Sequence, residues 1–189
     1  QQGAVAGFVE AEVDHGPMLP GGAPSPRRTG RPWRRAARRR RLVRMTSPCP
    51  ACDVVAGRRT PPGGVLVREG GFVVHAVDGP TPVAGWVVVT PEAHVRAVHD
   101  LDDAAHARLF ALAHRVARAQ RDALGAEHGY VAAFGEVLRH AHLHVVPRYA
   151  DTPERWRGPR VFQAQADDAR PLAEVEAAAR ALAAALARP

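Results

Sequence analysis

A chain of 189 residues is long enough for one domain with a real core plus appendages. Its formal net charge of +7 belongs to residues 1–44, where ten arginines face Glu10, Glu12 and Asp14; the other sixteen arginines balance sixteen acids, so the body of the chain is no polycation. No apolar run approaches the roughly 20 residues that cross a bilayer, no secretory apolar core follows the basic run, and both cysteines lie in one Cys-x-x-Cys, which excludes a disulfide framework and makes a cytoplasmic location the expectation.

Residues 1–44 mix Gly, Pro and Ala with an arginine run from Arg27 to Arg44 and show almost no apolar periodicity. Such a composition cannot bury enough surface to offset chain entropy, so disorder or a loose helix is expected there. A basic arm of this kind can meet nucleic acid or anionic lipid through phosphate charge. Arginine to the exclusion of lysine fits a GC-rich coding bias better, and neither contact is expected.

Cys49 to Gly57 reads as a loop and short helix. Val65–Arg68 and Phe72–Ala76 read as two strands joined across Glu69-Gly70-Gly71. A Pro-rich loop from Asp78 to Ala84 leads to the apolar run Trp86–Val89, a buried strand stopped by Thr90-Pro91. Asp102 or Asp103 caps a long helix in which Ala104, Leu109, Leu112, Val116 and Ala119 keep helical spacing until Gly125. His99, His106, His114 and His128 read as solvated surface. Tyr130–Phe134 is a further strand, connected by Gly135-Glu136 to the histidine-rich segment. Beyond Arg148, a loop is expected to pack back through Trp156 and Phe162. It is followed by an amphipathic helix over residues 171–187 with Leu172, Val175, Ala179, Leu182 and Leu186 as its buried stripe. The order of elements predicts an antiparallel α+β domain.

The segment with the most chemistry is Arg139-His140-Ala141-His142-Leu143-His144-Val145-Val146-Pro147-Arg148. In a strand, alternate side chains share a face, so the three imidazoles would line one side about 7 Å apart while Ala141, Leu143 and Val145 enter the core. That spacing suits a row of phosphates. The competing reading is a half-buried strand whose wet face carries histidine, or a tract that binds metal adventitiously.

This segment resembles the His-x-His-x-His motif of the histidine triad (HIT) family of nucleotide hydrolases and transferases. Two further pieces are similar to the family in the same order: Cys49-Pro50-Ala51-Cys52 through Gly57, and Gly85-Trp86-Val87-Val88-Val89-Thr90-Pro91-Glu92-Ala93-His94. The resemblance implies an α+β fold with a HIT-like antiparallel sheet of about five strands, one long helix and a C-terminal helix. Residues 45–150 would be the HIT domain, and 151–189 a loop and helix packed on it. Because Met45 stands where the family's chains usually begin, residues 1–44 are expected to be a non-native extension.

The resemblance also implies a function: cleavage of a nucleoside 5′-phosphate bond in dinucleoside polyphosphates or nucleoside phosphoramidates. His142 would be the nucleophile that forms a nucleotidyl-imidazole, with His144 on the phosphate and Asp78 and Glu136 as further substrate contacts. Cys49, Cys52, His94 and His140 would hold a structural zinc ion, the alternatives for the thiols being a redox pair or incidental core residues. A homodimer is implied as well. Trp86 replaces a family histidine and Glu136 a family glutamine, which keeps a second function in view: a zinc-stabilised nucleotide-binding or interaction module with weak catalysis.

Overall fold

The computed structural model describes residues 49–188; the expectation for residues 1–44 lies outside them. The short helix α1 (Pro50–Val55) precedes the hairpin β1 (Val65–Glu69) and β2 (Phe72–Ala76), then β3 (Val87–Pro91). The long helix α2 (Asp103–Leu124) leads to β4 (His128–Ala132), β5 (Leu143–Arg148), a stretch of 3-10 turns and the final helix α3 (Leu172–Leu186). The five strands form one antiparallel sheet in the order β1-β2-β3-β5-β4.

Strand alternation divides the chemistry. Phe72, Val74, Val87, Val89, Leu143 and Val145 point to one face, where they meet Leu109, Leu112 and Val116 of α2 in the main core. Leu182 and Leu186 of α3 close that core, and Val175 and Ala179 pack beside Ala76. The intervening positions, among them His75, Val88, Thr90 and His144, are left for the opposite face. Part of that face is covered by a second cluster in which Trp156 and Phe162 pack with Val83, Trp86, Val146 and Val161.

Both ends of α2 follow from the sequence. The Asp102 carboxylate accepts the Ala105 N–H at 2.7 Å, and Gly125 ends the helix with a left-handed φ of 73°. Gln120 is the unexpected member of its buried stripe: the side-chain amide donates to the carbonyls of Gly85 and Val145 at 2.9 and 3.0 Å and ties α2 to the entrance of β3. Gly85 itself has a φ of 83°, a left-handed conformation that favours glycine, and a Cβ there would stand 2.5 Å from Leu124 Cδ1 and displace that side chain.

Four expectations need correction. β3 begins at Val87 and runs on through Thr90 and Pro91, which pair with Val73 and Phe72, instead of stopping at Val89. β4 spans His128–Ala132 rather than Tyr130–Phe134, so a ten-residue segment, not a short turn, leads to β5. Ala104 is exposed on the first turn of α2, and Ala105 packs on the core in its place. Leu172, the first residue of α3, is 61% exposed, while the rest of its stripe is buried.

Candidate active site and metal centre

The sheet face opposite α2 carries a cavity of about 410 Å³. Its floor is a row across three strands: His75 on β2 is paired with Val88 on β3, and Val88 with His144 on β5. Pro50, Ala51 and Val54 of α1 form one wall, and the segment before β5 contributes Phe134, Glu136, Val137, Leu138 and His142. Arg59 and Asp78, joined as an ion pair, line it as well. The structure therefore brings His142, His144, Asp78 and Glu136 to one cavity and turns His140 elsewhere.

The three imidazoles do not emerge from one regular strand as the alternation predicts. β5 begins at Leu143, so His144 alone lies within it, and His140 and His142 sit on the approach. Local hydrogen bonds take the place of the ladder there: Ala141 N–H donates to the Val95 carbonyl at 2.6 Å, and His142 Nδ1 lies 2.7 Å from the His140 carbonyl. As a result the His142 and His144 rings are 4.8 Å apart between centroids, closer than the strand spacing of about 7 Å.

These contacts fix the tautomers. A carbonyl only accepts, so His142 must carry its proton on Nδ1 and keep the lone pair on Nε2. Trp86 Nε1–H donates to His144 Nδ1 at 3.1 Å, which leaves the His144 proton on Nε2, and that N–H points at His142 Nε2 across 3.2 Å. Indole, imidazole, imidazole and carbonyl thus form a chain with one proton per link. Burial, with the nearby His142 and His75 rings, holds His144 down to about 4.

Behind this row, Cys49 Sγ, Cys52 Sγ, His94 Nδ1 and His140 Nδ1 all lie within 4.8 Å of one another. They come from the start of α1, the bend after β3 and the approach to β5. His140 is fully buried, and its Nε2–H donates to the Pro91 carbonyl at 2.9 Å, which presents the Nδ1 lone pair to both sulfurs at 3.5 Å. Two thiols and two neutral imidazoles with one ring oriented by a carbonyl are a donor set that fits a metal ion. In the metal-free protein, burial and Cys49 push the Cys52 thiol up to about 11, so binding an ion there displaces a proton.

Three cleft residues escape a sequence reading. His75 looks like one histidine in an apolar strand, yet it is 6% exposed and its Nε2 has no partner. Its Nδ1 lies 2.7 Å from the Ala76 carbonyl, and burial lowers its pKa. Arg59 carries no motif and is found only through Asp78. Trp86 reads as the loss of an imidazole, whereas its indole supplies a donor to His144.

The sequence profile of the HIT domain matches residues 65–151. This chain carries a HIT domain. Solved structures agree with that assignment. A zinc-bound histidine triad family protein from Mycobacterium smegmatis is 26% identical, with a TM-score of 0.58 over 74% of this chain and 94% of its own. A histidine triad protein from Sinorhizobium meliloti is 25% identical, with a TM-score of 0.53 over 67% and 89%. A hypothetical histidine triad nucleotide-binding protein from Sulfolobus tokodaii has a TM-score of 0.59 over 73% and 91% at 16% identity, a likeness in fold alone. No curated protein matches the chain. The HIT fold, with its antiparallel five-stranded sheet, is the one expected, and the domain match supports a nucleotide hydrolase or transferase type of function in general. Among the described residues no helix is long and apolar enough to cross a membrane.

Proposed function

We propose that this HIT domain protein cleaves a nucleoside 5′-phosphate bond through a nucleotidyl-histidine intermediate on His142. The observation that carries the reading is the hydrogen bond between His142 Nδ1 and the His140 carbonyl, because it leaves an Nε2 lone pair at the cavity wall beside a fixed His144 N–H. When a phosphate oxygen takes over the His144 donor, the lone pair is free to attack phosphorus in line. The imidazole becomes cationic as the new bond forms, and the His140 carbonyl on Nδ1 stabilises that charge. Water, or another acceptor in a transferase, then attacks phosphorus and releases His142. Asp78 and Glu136 line the same cavity, which supports their contact with the rest of the nucleotide, and the apolar wall of Ala51, Val54 and Val77 suits a base.

Zinc is the ion we assign to Cys49, Cys52, His94 and His140, supported by the donor set and by the zinc-bound relative. With four protein donors it would supply structural fastening of α1 to the approach of β5. A homodimer is supported by the exposed edge strand β4, with Val131 48% exposed, and by Phe110, 43% exposed on α2. The two free cysteines suit a reducing cytoplasm.

The test is to incubate the protein and His142→Ala with a diadenosine polyphosphate labelled at the α-phosphate. Turnover by the parent, with label trapped on histidine after acid-free denaturation and both lost in His142→Ala, supports the reading. Nucleotide binding without turnover in either protein sinks it and favours the binding module.

A further inference from the structure

The bond from Trp86 to His144 limits what the cleft can expel, an argument that rests on the nucleotidyl transfer proposed above. Trp86 Nε1–H donates to His144 Nδ1 at 3.1 Å. An indole nitrogen never accepts, and an imidazolium carries hydrogens on both nitrogens, so protonating His144 would set two N–H groups head to head. The surroundings offer no compensation. The rings of Trp86, Phe134 and Phe162 pack around His144, and the titratable groups that face it are His142 from the β5 approach and His75 from β2, neither of which brings negative charge. Trp86 cannot easily turn away: it is 7% exposed, its ring abuts Phe162, and its carbonyl accepts the Val77 N–H at 3.1 Å.

We propose that Trp86 keeps His144 a neutral Nε2–H donor, so that this cleft releases leaving groups that depart as oxyanions, phosphates or carboxylates, and discriminates against amines. In the first step the His142 Nε2 lone pair forms a bond to the α-phosphorus, and the phosphorus–oxygen bond breaks with its electron pair on the leaving oxygen. A phosphate or carboxylate oxygen is stable as that anion and needs only the His144 hydrogen bond. An alkylamine nitrogen must receive a proton as its bond to phosphorus breaks, and a neutral imidazole N–H is far too weak an acid to supply it. In the second step water attacks phosphorus, the phosphorus–nitrogen bond returns its pair to His142 Nε2, and the water proton passes to solvent. Trp86 is thus a positioning residue that sets the chemical class of substrate.

The experiment compares kcat/KM on a diadenosine polyphosphate with that on an adenosine 5′-phosphoramidate of a primary alkylamine. Because general acid catalysis is worth about 10²–10⁴ in rate, the parent should prefer the anhydride by at least about 100-fold. Trp86→Phe keeps a ring but frees His144 Nδ1, and the preference should narrow at least tenfold. Equal cleavage of both substrates by the parent overturns the proposal, as does a Trp86→Phe variant in which both rates fall by one factor. Should that variant not fold, the 15N shifts of His144 in the parent decide: Nδ1 bare and Nε2 protonated from about pH 5 to 8 is expected, and an imidazolium or the opposite tautomer overturns it. Turnover without preference defeats this inference alone. No turnover of either substrate defeats the nucleotidyl transfer beneath it, and this inference with it.

Discussion

His140 and His142 are two residues apart and share a residue type, yet the fold sets them in opposite surroundings. His140 is fully enclosed, its Nε2–H spent on the Pro91 carbonyl and its Nδ1 among two sulfurs and the His94 ring. His142 has the reverse tautomer, with Nδ1 held by a carbonyl and Nε2 at the cavity. A backbone carbonyl acting on a different ring nitrogen decides each role. The two sites also share a wall: α1 begins at the metal donors and lines the cleft with Pro50, Ala51 and Val54. The lesson is that chemistry at one site and structure at the other should separate under mutation, except where α1 links them.

The sharpest way to break this contrast is to remove each ring. His142→Ala should lower turnover by about 10³-fold or more while leaving bound metal and the melting temperature nearly unchanged, measured by steady-state kinetics, metal analysis and calorimetry. His140→Ala should instead abolish metal binding and cost about 3–5 kcal/mol of stability, read from denaturant unfolding. If His140→Ala kept its metal and its fold, the division of labour would be wrong.

A smaller effect is expected from Gln120→Leu, which removes the side-chain donor to the Gly85 and Val145 carbonyls. About 1–3 kcal/mol should be lost, with the metal retained and KM raised little, since Gly85 lies behind the cleft. Acid sharpens the comparison from another side. The folded pKa of His144, about 4, lies below its ordinary value of 6.5, so the unfolded chain binds the proton first. Stability is therefore complete above about pH 6.5 and falls as pH drops from there toward 4, and the buried His75 and His140 act in the same direction. A melting temperature flat across that window would contradict the burial of these rings. The least effect belongs to Leu172→Ser, within about 0.5 kcal/mol, because that side chain is 61% exposed.

Much of this was legible in the order of residues. The hairpin signal at Glu69-Gly70-Gly71 gave the strand Phe72–Ala76, the apolar run Trp86–Val89 gave a buried strand, and Asp102 and Gly125 bracketed α2 closely. The family resemblance of the segments holding Cys49, Cys52, His94 and His140 named a donor cluster that the fold does assemble. The course of the histidine segment was not legible, because period two describes the side chains and not the hydrogen-bond partners. Ala141 bonds to Val95 instead of a strand neighbour, and the row spacing shrinks accordingly. Arg59 and His75 were invisible for a related reason, since each gains its meaning from a residue or cavity distant in sequence.

By itself, the sequence determined which residues are available: three alternating imidazoles, two thiols, an apolar two-period that demands a sheet and a helix that must cover it. Short-range rules suffice for these, because strand alternation and helix capping act over a few residues. Which ring nitrogen carries the proton in His140 and in His144 was decided by tertiary structure, whereas His142 takes its tautomer from a carbonyl two residues back. Trp86 reaches His144 over 58 positions and Pro91 reaches His140 over 49, and only the assembled sheet brings donor and acceptor to hydrogen-bond distance.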